Sequence, residues 1–165
     1  MESTNHCVSK PSLHEKAGSM LRLGTAKPLL GCARTVVERP IDRVFDFVGR
    51  DFFDHYRQWC PHIVELESMS GEPIGVGAKV RQVALDRGIC SEATFQITEF
   101  APPQTLGLAG ITEPFESAYK FQKRGEAATE IAFSFELLEV EPFMRPFERL
   151  IRTALQNGAE QTVDS

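Results

Sequence analysis

The chain has 165 residues, of which 42% are hydrophobic and 25% are charged, a composition typical of an ordinary globular protein with one core. Lys and Arg number 18 against 23 Asp and Glu, so the formal net charge is -5, which works against sequence-independent binding of nucleic acid. No stretch has the length and hydrophobicity of a membrane span, and the N-terminus lacks the pattern of a secretory signal. We therefore expect a cytoplasmic protein with no nucleic-acid partner.

Four cysteines, Cys7, Cys32, Cys60 and Cys90, lie far apart along the chain. They show neither the close pairing of a zinc site nor the density of a disulfide scaffold, so we expect reduced thiols. A metal site formed by His55, Cys60 and His62 would lack a fourth ligand and a recognised spacing. We therefore predict no metal and no cofactor.

The first 28 residues mix polar and small residues without an apolar period, which predicts a flexible N-terminal extension (1–28) before a single domain (29–165). Residues 32–38 alternate in the manner of a β-strand, and Pro40 follows them.

Two short helices are predicted next. Segment 41–48 places apolar residues at helical spacing, and segment 51–59 carries Phe52, Tyr56 and Trp59 on one stripe.

The rest of the chain reads as a sheet followed by one long helix. Short turns between the runs indicate antiparallel neighbours. An amphipathic pattern over 142–162 predicts the final helix, which has the concave face of a twisted sheet to pack against. The six strand-like runs are 63–69, 78–85, 89–100, 105–111, 115–123 and 129–140.

Several short motifs in this order resemble the SRPBCC superfamily, and more narrowly its polyketide cyclase/dehydrase-like branch. The resemblance covers about residues 30–165 and implies an α+β helix-grip fold, related to START domains and to the birch pollen allergen family. In that fold a seven-stranded antiparallel sheet curls around a long C-terminal helix, with two short helices between strands one and two. The motifs are Glu38-Arg39-Pro40 leading into 41–48, Trp59-x-Pro61, Gly75-Val76-Gly77, and Glu99-Phe100-x-Pro102-Pro103.

Strand pairing predicts which side chains face the interior. If Asp86-Arg87-Gly88 forms a three-residue turn, Leu85 lies opposite Ile89, and the apolar face that continues to Phe95 then includes Arg81, Val83 and Ser91. In the last hairpin the same argument turns Ser117, Tyr119 and Phe121 inward, opposite Phe133. On the final helix, Phe147, Ile151 and Ala154 are expected to face the sheet.

Arg81 and Tyr119 are the polar groups with the clearest chemistry on the predicted inner wall. A buried tyrosine hydroxyl needs a partner, either a ligand oxygen or an ordinary core group. A guanidinium in an apolar cavity needs an anion, which a ligand or a carboxylate such as Glu65, Glu67 or Glu116 can supply, unless Arg81 reaches solvent near a strand end. His62 follows the second helix and is a third candidate for proton transfer.

Three functions fit a helix-grip domain. One is a binding or carrier protein for a hydrophobic small molecule such as a lipid, an isoprenoid or a polyketide-like compound, and another is a cyclase/aromatase-like enzyme that uses Arg81, Tyr119 or His62. The third is a module that binds a partner protein without a ligand, which predicts a filled cavity. No cofactor or membrane span is expected, and monomer and homodimer both remain open. The predicted ligand-binding residues are Arg81, Val83, Ser91, Phe95, Ser117, Tyr119, Phe121, Phe133, Phe147, Ile151 and Ala154.

Overall fold

A computed structural model describes residues 28–71, 73–139 and 156–157. Two short helices, α1 (Ile41–Phe45) and α2 (Phe52–Trp59), are joined by a π-helical turn (Asp46–Arg50). The seven strands are β1 (Leu29–Val37), β2 (Ile63–Ser68), β3 (Lys79–Asp86), β4 (Ile89–Ala101), β5 (Thr105–Gly110), β6 (Phe115–Lys123) and β7 (Thr129–Leu137).

All seven strands form one curled antiparallel sheet in the order β1-β7-β6-β5-β4-β3-β2. The helices carry the chain from β1 at one edge to β2 at the other, and a meander then returns it to β7 beside β1. The predicted antiparallel sheet and paired short helices are confirmed. The predicted helix over 142–162 lies outside the described residues, except that Gln156 and Asn157 are helical.

Aromatic packing fixes which face of the sheet is the inner one. Phe45 of α1 is fully buried and meets Phe100 and Phe121 edge to face, at ring-centroid distances of 5.5 and 5.4 Å. Phe52 of α2 is also fully buried and meets Phe95 of β4 at 6.3 Å. Both helices therefore bury their apolar stripes against the same face, which we call the inner face.

The β3–β4 hairpin differs from the sequence expectation. Its turn has two residues, Arg87 (φ 49°) and Gly88 (φ 82°), and Asp86 pairs with Ile89. Two successive positive φ values are the signature of a type I′ turn, whose twist matches that of the flanking strands. The predicted three-residue turn is therefore wrong, and every β3 residue pairs one position away from its expected partner.

The β6–β7 hairpin follows the sequence expectation. Tyr119 pairs with Phe133, Ser117 with Phe135, and Phe121 lies opposite Ile131. The residues of β6 and β7 that were predicted to point inward therefore lie on one face of the sheet, as the alternation of apolar residues indicated.

The free edge of β1 is bonded to a residue from the C-terminal part of the chain. The Gln156 side chain donates from Nε2 to the Cys32 carbonyl at 2.7 Å and accepts at Oε1 from the Cys32 amide at 3.1 Å. Its carboxamide thus takes the place of a neighbouring strand's peptide group, which satisfies backbone groups that an edge strand otherwise leaves unpaired.

The cysteine expectation is partly wrong. Cys32 and Cys60 are free thiols, but Cys90 is disulfide-bonded, and its partner lies outside the described residues. No group of His, Cys, Asp and Glu in the described part of the chain is arranged to hold a metal ion. Among the helices that the structure describes, none is long and apolar enough to cross a membrane.

Candidate ligand-binding site

The inner face of β6 and β7 carries polar side chains within an apolar wall. Tyr119 is 4% exposed and its ring packs on Phe133 with 4.7 Å between centroids. Ser117, two residues before it, is 8% exposed, and Phe121, two residues after it, is also buried. Of the three predicted catalytic candidates, Tyr119 is the one that lies where the sequence predicted.

Helix α2 contributes a second group of polar side chains to the same buried core. The helical stripe of Phe52, Tyr56 and Trp59 is buried, with ring centroids 4.5 Å apart for the first pair and 5.5 Å for the second. Cys60 caps the helix and is 6% exposed. Because a helix brings i and i+4 onto one face, Tyr56 and Cys60 lie next to each other.

The polar ends of these side chains interact with one another. Beside the larger effect of burial, contact with Cys60 raises the pKa of the Tyr56 phenol. The Tyr119 phenol also raises the pKa of Tyr56, and the Cys60 thiol raises the pKa of Tyr119. We call Tyr56, Trp59, Cys60 and Tyr119 the inner polar cluster.

Trp59 contributes an unsatisfied donor to this cluster. Its indole N–H is buried and has no hydrogen-bond partner of acceptable geometry in the described part of the chain. It nevertheless lies near enough to the Tyr119 oxygen to lower the pKa of that phenol as a donor would. The N–H therefore remains without a hydrogen bond in the described part of the chain.

Burial keeps the titratable members of the inner polar cluster neutral at physiological pH. Desolvation raises the pKa of Tyr56 and that of Tyr119 well above the ordinary value for tyrosine. It also raises the pKa of the Cys60 thiol from 9.0 to about 11. The cluster therefore donates hydrogen bonds at neutral pH and provides neither a thiolate nucleophile nor a phenolate base.

The predicted inward position of Arg81 is wrong. Its guanidinium makes a bidentate contact with Glu92, at 2.9 and 3.0 Å, and a further hydrogen bond of 3.2 Å to Glu65. Arg81 pairs with Thr94 and Glu67 across the sheet, so it lies on the opposite face from Phe95. The turn is one residue shorter than predicted, which moves Arg81 from the inner to the outer face. Its counter-ion is a protein carboxylate, which was one of the three alternatives given for this residue, beside a ligand anion and solvent.

Three other predicted site residues do not lie in the interior as expected. Val83 is buried, but it shares the outer face with Arg81. Ser91 is exposed near the end of the β3–β4 hairpin, and His62 is exposed in the turn before β2. Phe95 lies on the inner face, 2% exposed, as predicted. The predicted helix residues Phe147, Ile151 and Ala154 lie outside the described residues.

The sequence reading missed Tyr56, Trp59 and Cys60 as site residues. It placed the two aromatic residues on an apolar helical stripe, which is where ordinary core residues also lie. The one signal available was that Tyr and Trp carry polar atoms that need partners when buried.

A separate groove of about 390 Å³ opens at the surface between the start of α2 and the loop before β3. Phe53, Ile74 and Phe100 form its apolar part, and Asp51 and Asp54 contribute its carboxylates. It does not include any member of the inner polar cluster.

The fold defined by this sheet and these helices is that of the SRPBCC superfamily, and the chain belongs to the family described as polyketide cyclase/dehydrase and lipid transport. The model of that family matches residues 33–165. A sequence comparison with curated proteins finds no match.

Solved structures resemble this chain in fold at low sequence identity. The Zhui aromatase/cyclase from Streptomyces sp. R1128 superposes with a TM-score of 0.68 at 11% identity, covering 84% of this chain and 90% of its own. A protein from Thermus thermophilus gives a TM-score of 0.67 at 16% identity, with 82% and 92% covered. A truncated norcoclaurine synthase from Thalictrum flavum gives 0.65 at 13% identity, with 87% and 95% covered.

Replacing Arg81 tests its role on the outer face. Arg81→Met removes the positive charge between Glu65, Glu67 and Glu92, so their mutual repulsion is expected to lower the free energy of unfolding. The loss should be larger at low than at high salt, because these carboxylates are solvent-exposed and screened. Urea unfolding at two salt concentrations measures it, and a loss independent of salt would contradict this assignment.

Alkaline unfolding tests the burial of the Cys60 thiol. Because its folded pKa lies above its unfolded value, the stabilisation is complete below about pH 9 and is lost as the pH rises towards about 11. An increase of the thiol pKa from 9.0 to about 11 corresponds to roughly 2–3 kcal/mol. Urea unfolding across this range should show a shallower decline for Cys60→Ala than for wild type. The exposed Cys32→Ala variant serves as control, and equal slopes for wild type and Cys60→Ala would show that the thiol is solvated.

Proposed function

We propose that the protein binds an uncharged, hydrophobic small molecule between the inner face of the sheet and its helices, and acts as a binding or carrier protein. The observation that carries this proposal is the inner polar cluster, in which neutral hydrogen-bonding groups converge within an otherwise apolar interior. Small-molecule sites have this composition, with apolar walls and a few polar groups that orient the ligand.

The charge of the interior indicates the charge of the ligand. The core cluster formed by the described residues contains no Asp, Glu, Lys or Arg, and its titratable members are neutral at physiological pH. An ionised ligand would lose its hydration there without gaining a counter-charge, which is costly. An uncharged molecule avoids this penalty.

The family and its structural relatives support binding of an apolar small molecule. The family description includes lipid transport alongside polyketide cyclases. The alternative function, a cyclase/aromatase-like enzyme, draws support from the same description and from the similar aromatase/cyclase. That reaction needs a group that accepts a proton at neutral pH, whereas Tyr119 is held protonated and Arg81 and His62 lie outside the inner polar cluster.

Filling the proposed cavity tests this function. Ser117→Phe adds a ring on the inner face of β6, and Ala118→Phe adds the same kind of bulk on the opposite face, as a control. The probe is N-phenyl-1-naphthylamine, which is uncharged and fluoresces in apolar surroundings. We expect wild type and Ala118→Phe to take up the probe and Ser117→Phe to lose this uptake, with its free energy of unfolding within about 1 kcal/mol of wild type because space is available.

Two results would contradict the proposal. One is absence of probe uptake by wild type. The other is destabilisation of Ser117→Phe by roughly 1–3 kcal/mol, the usual cost of overpacking a filled core.

A further inference from the structure

The orphaned indole N–H of Trp59 requires an explanation. The residue is 8% exposed and the N–H has no partner within the described residues, although a buried, unpaired donor costs about 1–3 kcal/mol. Folded proteins satisfy nearly all such groups with protein groups or ordered water. An indole N–H can donate and cannot accept, so the missing partner is an acceptor.

Tyr119 places a second donor in the same buried core. The residue is 4% exposed, and its hydroxyl group forms no hydrogen bond with another described residue. Since burial keeps the phenol protonated at neutral pH, the proton is present to be donated.

The other two members of the inner polar cluster, Tyr56 and Cys60, are neighbours one helical turn apart on α2. Beside the larger effect of burial, contact with Cys60 raises the pKa of the Tyr56 phenol. The cluster thus offers a ligand two donors away from this pair, the Trp59 N–H and the Tyr119 O–H.

We propose that the Trp59 N–H and the Tyr119 O–H together bind one carbonyl oxygen of an uncharged apolar ligand, such as an aromatic ketone or a quinone. A carbonyl oxygen has two lone pairs and can accept from both donors at once. An alkylammonium or a carboxylate group would bring a charge that the described core does not balance. This inference rests on the proposed function, since it names the ligand class of the same site.

A pair of ligands that differ only at the carbonyl tests the inference. Fluorenone and fluorene share one tricyclic skeleton, and each competes with bound N-phenyl-1-naphthylamine, so the ratio of their inhibition constants isolates the contribution of the carbonyl. Trp59→Phe and Tyr119→Phe each remove one donor and keep an aromatic ring. We expect the preference for fluorenone over fluorene to fall roughly three- to tenfold in each variant, the range for loss of one hydrogen bond.

Ser134→Ala is the matched control, because it removes a hydroxyl from the opposite face of β7. It should keep the wild-type preference. The infrared carbonyl stretch of bound fluorenone gives a second readout, which should lie at lower frequency in wild type than in Tyr119→Phe, and this shift does not depend on variant stability.

The outcomes separate the two proposals. In one outcome, wild type takes up the naphthylamine probe while both variants keep the wild-type preference for fluorenone and the wild-type carbonyl frequency of bound fluorenone. In that case the carbonyl inference is wrong and the binding function stands. If wild type takes up neither the probe nor either tricyclic compound, the binding function itself fails.

Discussion

Contact between α2 and the inner face of the sheet determines which polar groups this protein encloses. The aromatic stripe of α2 packs against β4 through Phe52 and Phe95, and Trp59 and Cys60 at the end of the helix join the same buried core as Tyr119 of β6. The hydroxyl, thiol and indole groups that meet there lie in apolar surroundings, which hold the hydroxyl and thiol groups in their neutral, protonated forms. The electrostatic character of the interior is thus a consequence of where the helix packs.

The neutrality of this interior also limits the chemistry that the described residues can perform. Donors that stay protonated can orient a carbonyl, but they do not remove a proton from a bound molecule at neutral pH. The outer face is different, because Arg81 and its three neighbouring carboxylates remain accessible to solvent. These four charged residues are therefore separated from the proposed ligand by the sheet itself.

Much of the sheet could be predicted from the sequence, and the two hairpins show why part of it could not. In β6 and β7 the large apolar residues alternate strictly, so only one pairing buries them, and Tyr119 was correctly turned inward. In β3 the buried residues Val80 and Val83 lie on opposite faces, so hydrophobicity does not decide which alternate residues of this strand face inward. The turn decided it, and a positive φ at Arg87, which few residues other than glycine adopt, was not apparent from residue types.

The candidate site was predictable only on the sheet side. Alternation along β6 identified Tyr119 as an inward residue. The sequence gives no comparable rule for how a helix packs on a sheet, so it did not show that Trp59 and Cys60 share the core with Tyr119.

Native mass spectrometry of the protein isolated from its own host, without detergent, tests the central claim most directly. The account predicts a complex heavier than the polypeptide, which releases an uncharged apolar molecule with a carbonyl oxygen on solvent extraction. A native mass equal to that of the polypeptide alone, unchanged after incubation with fluorenone, would contradict it.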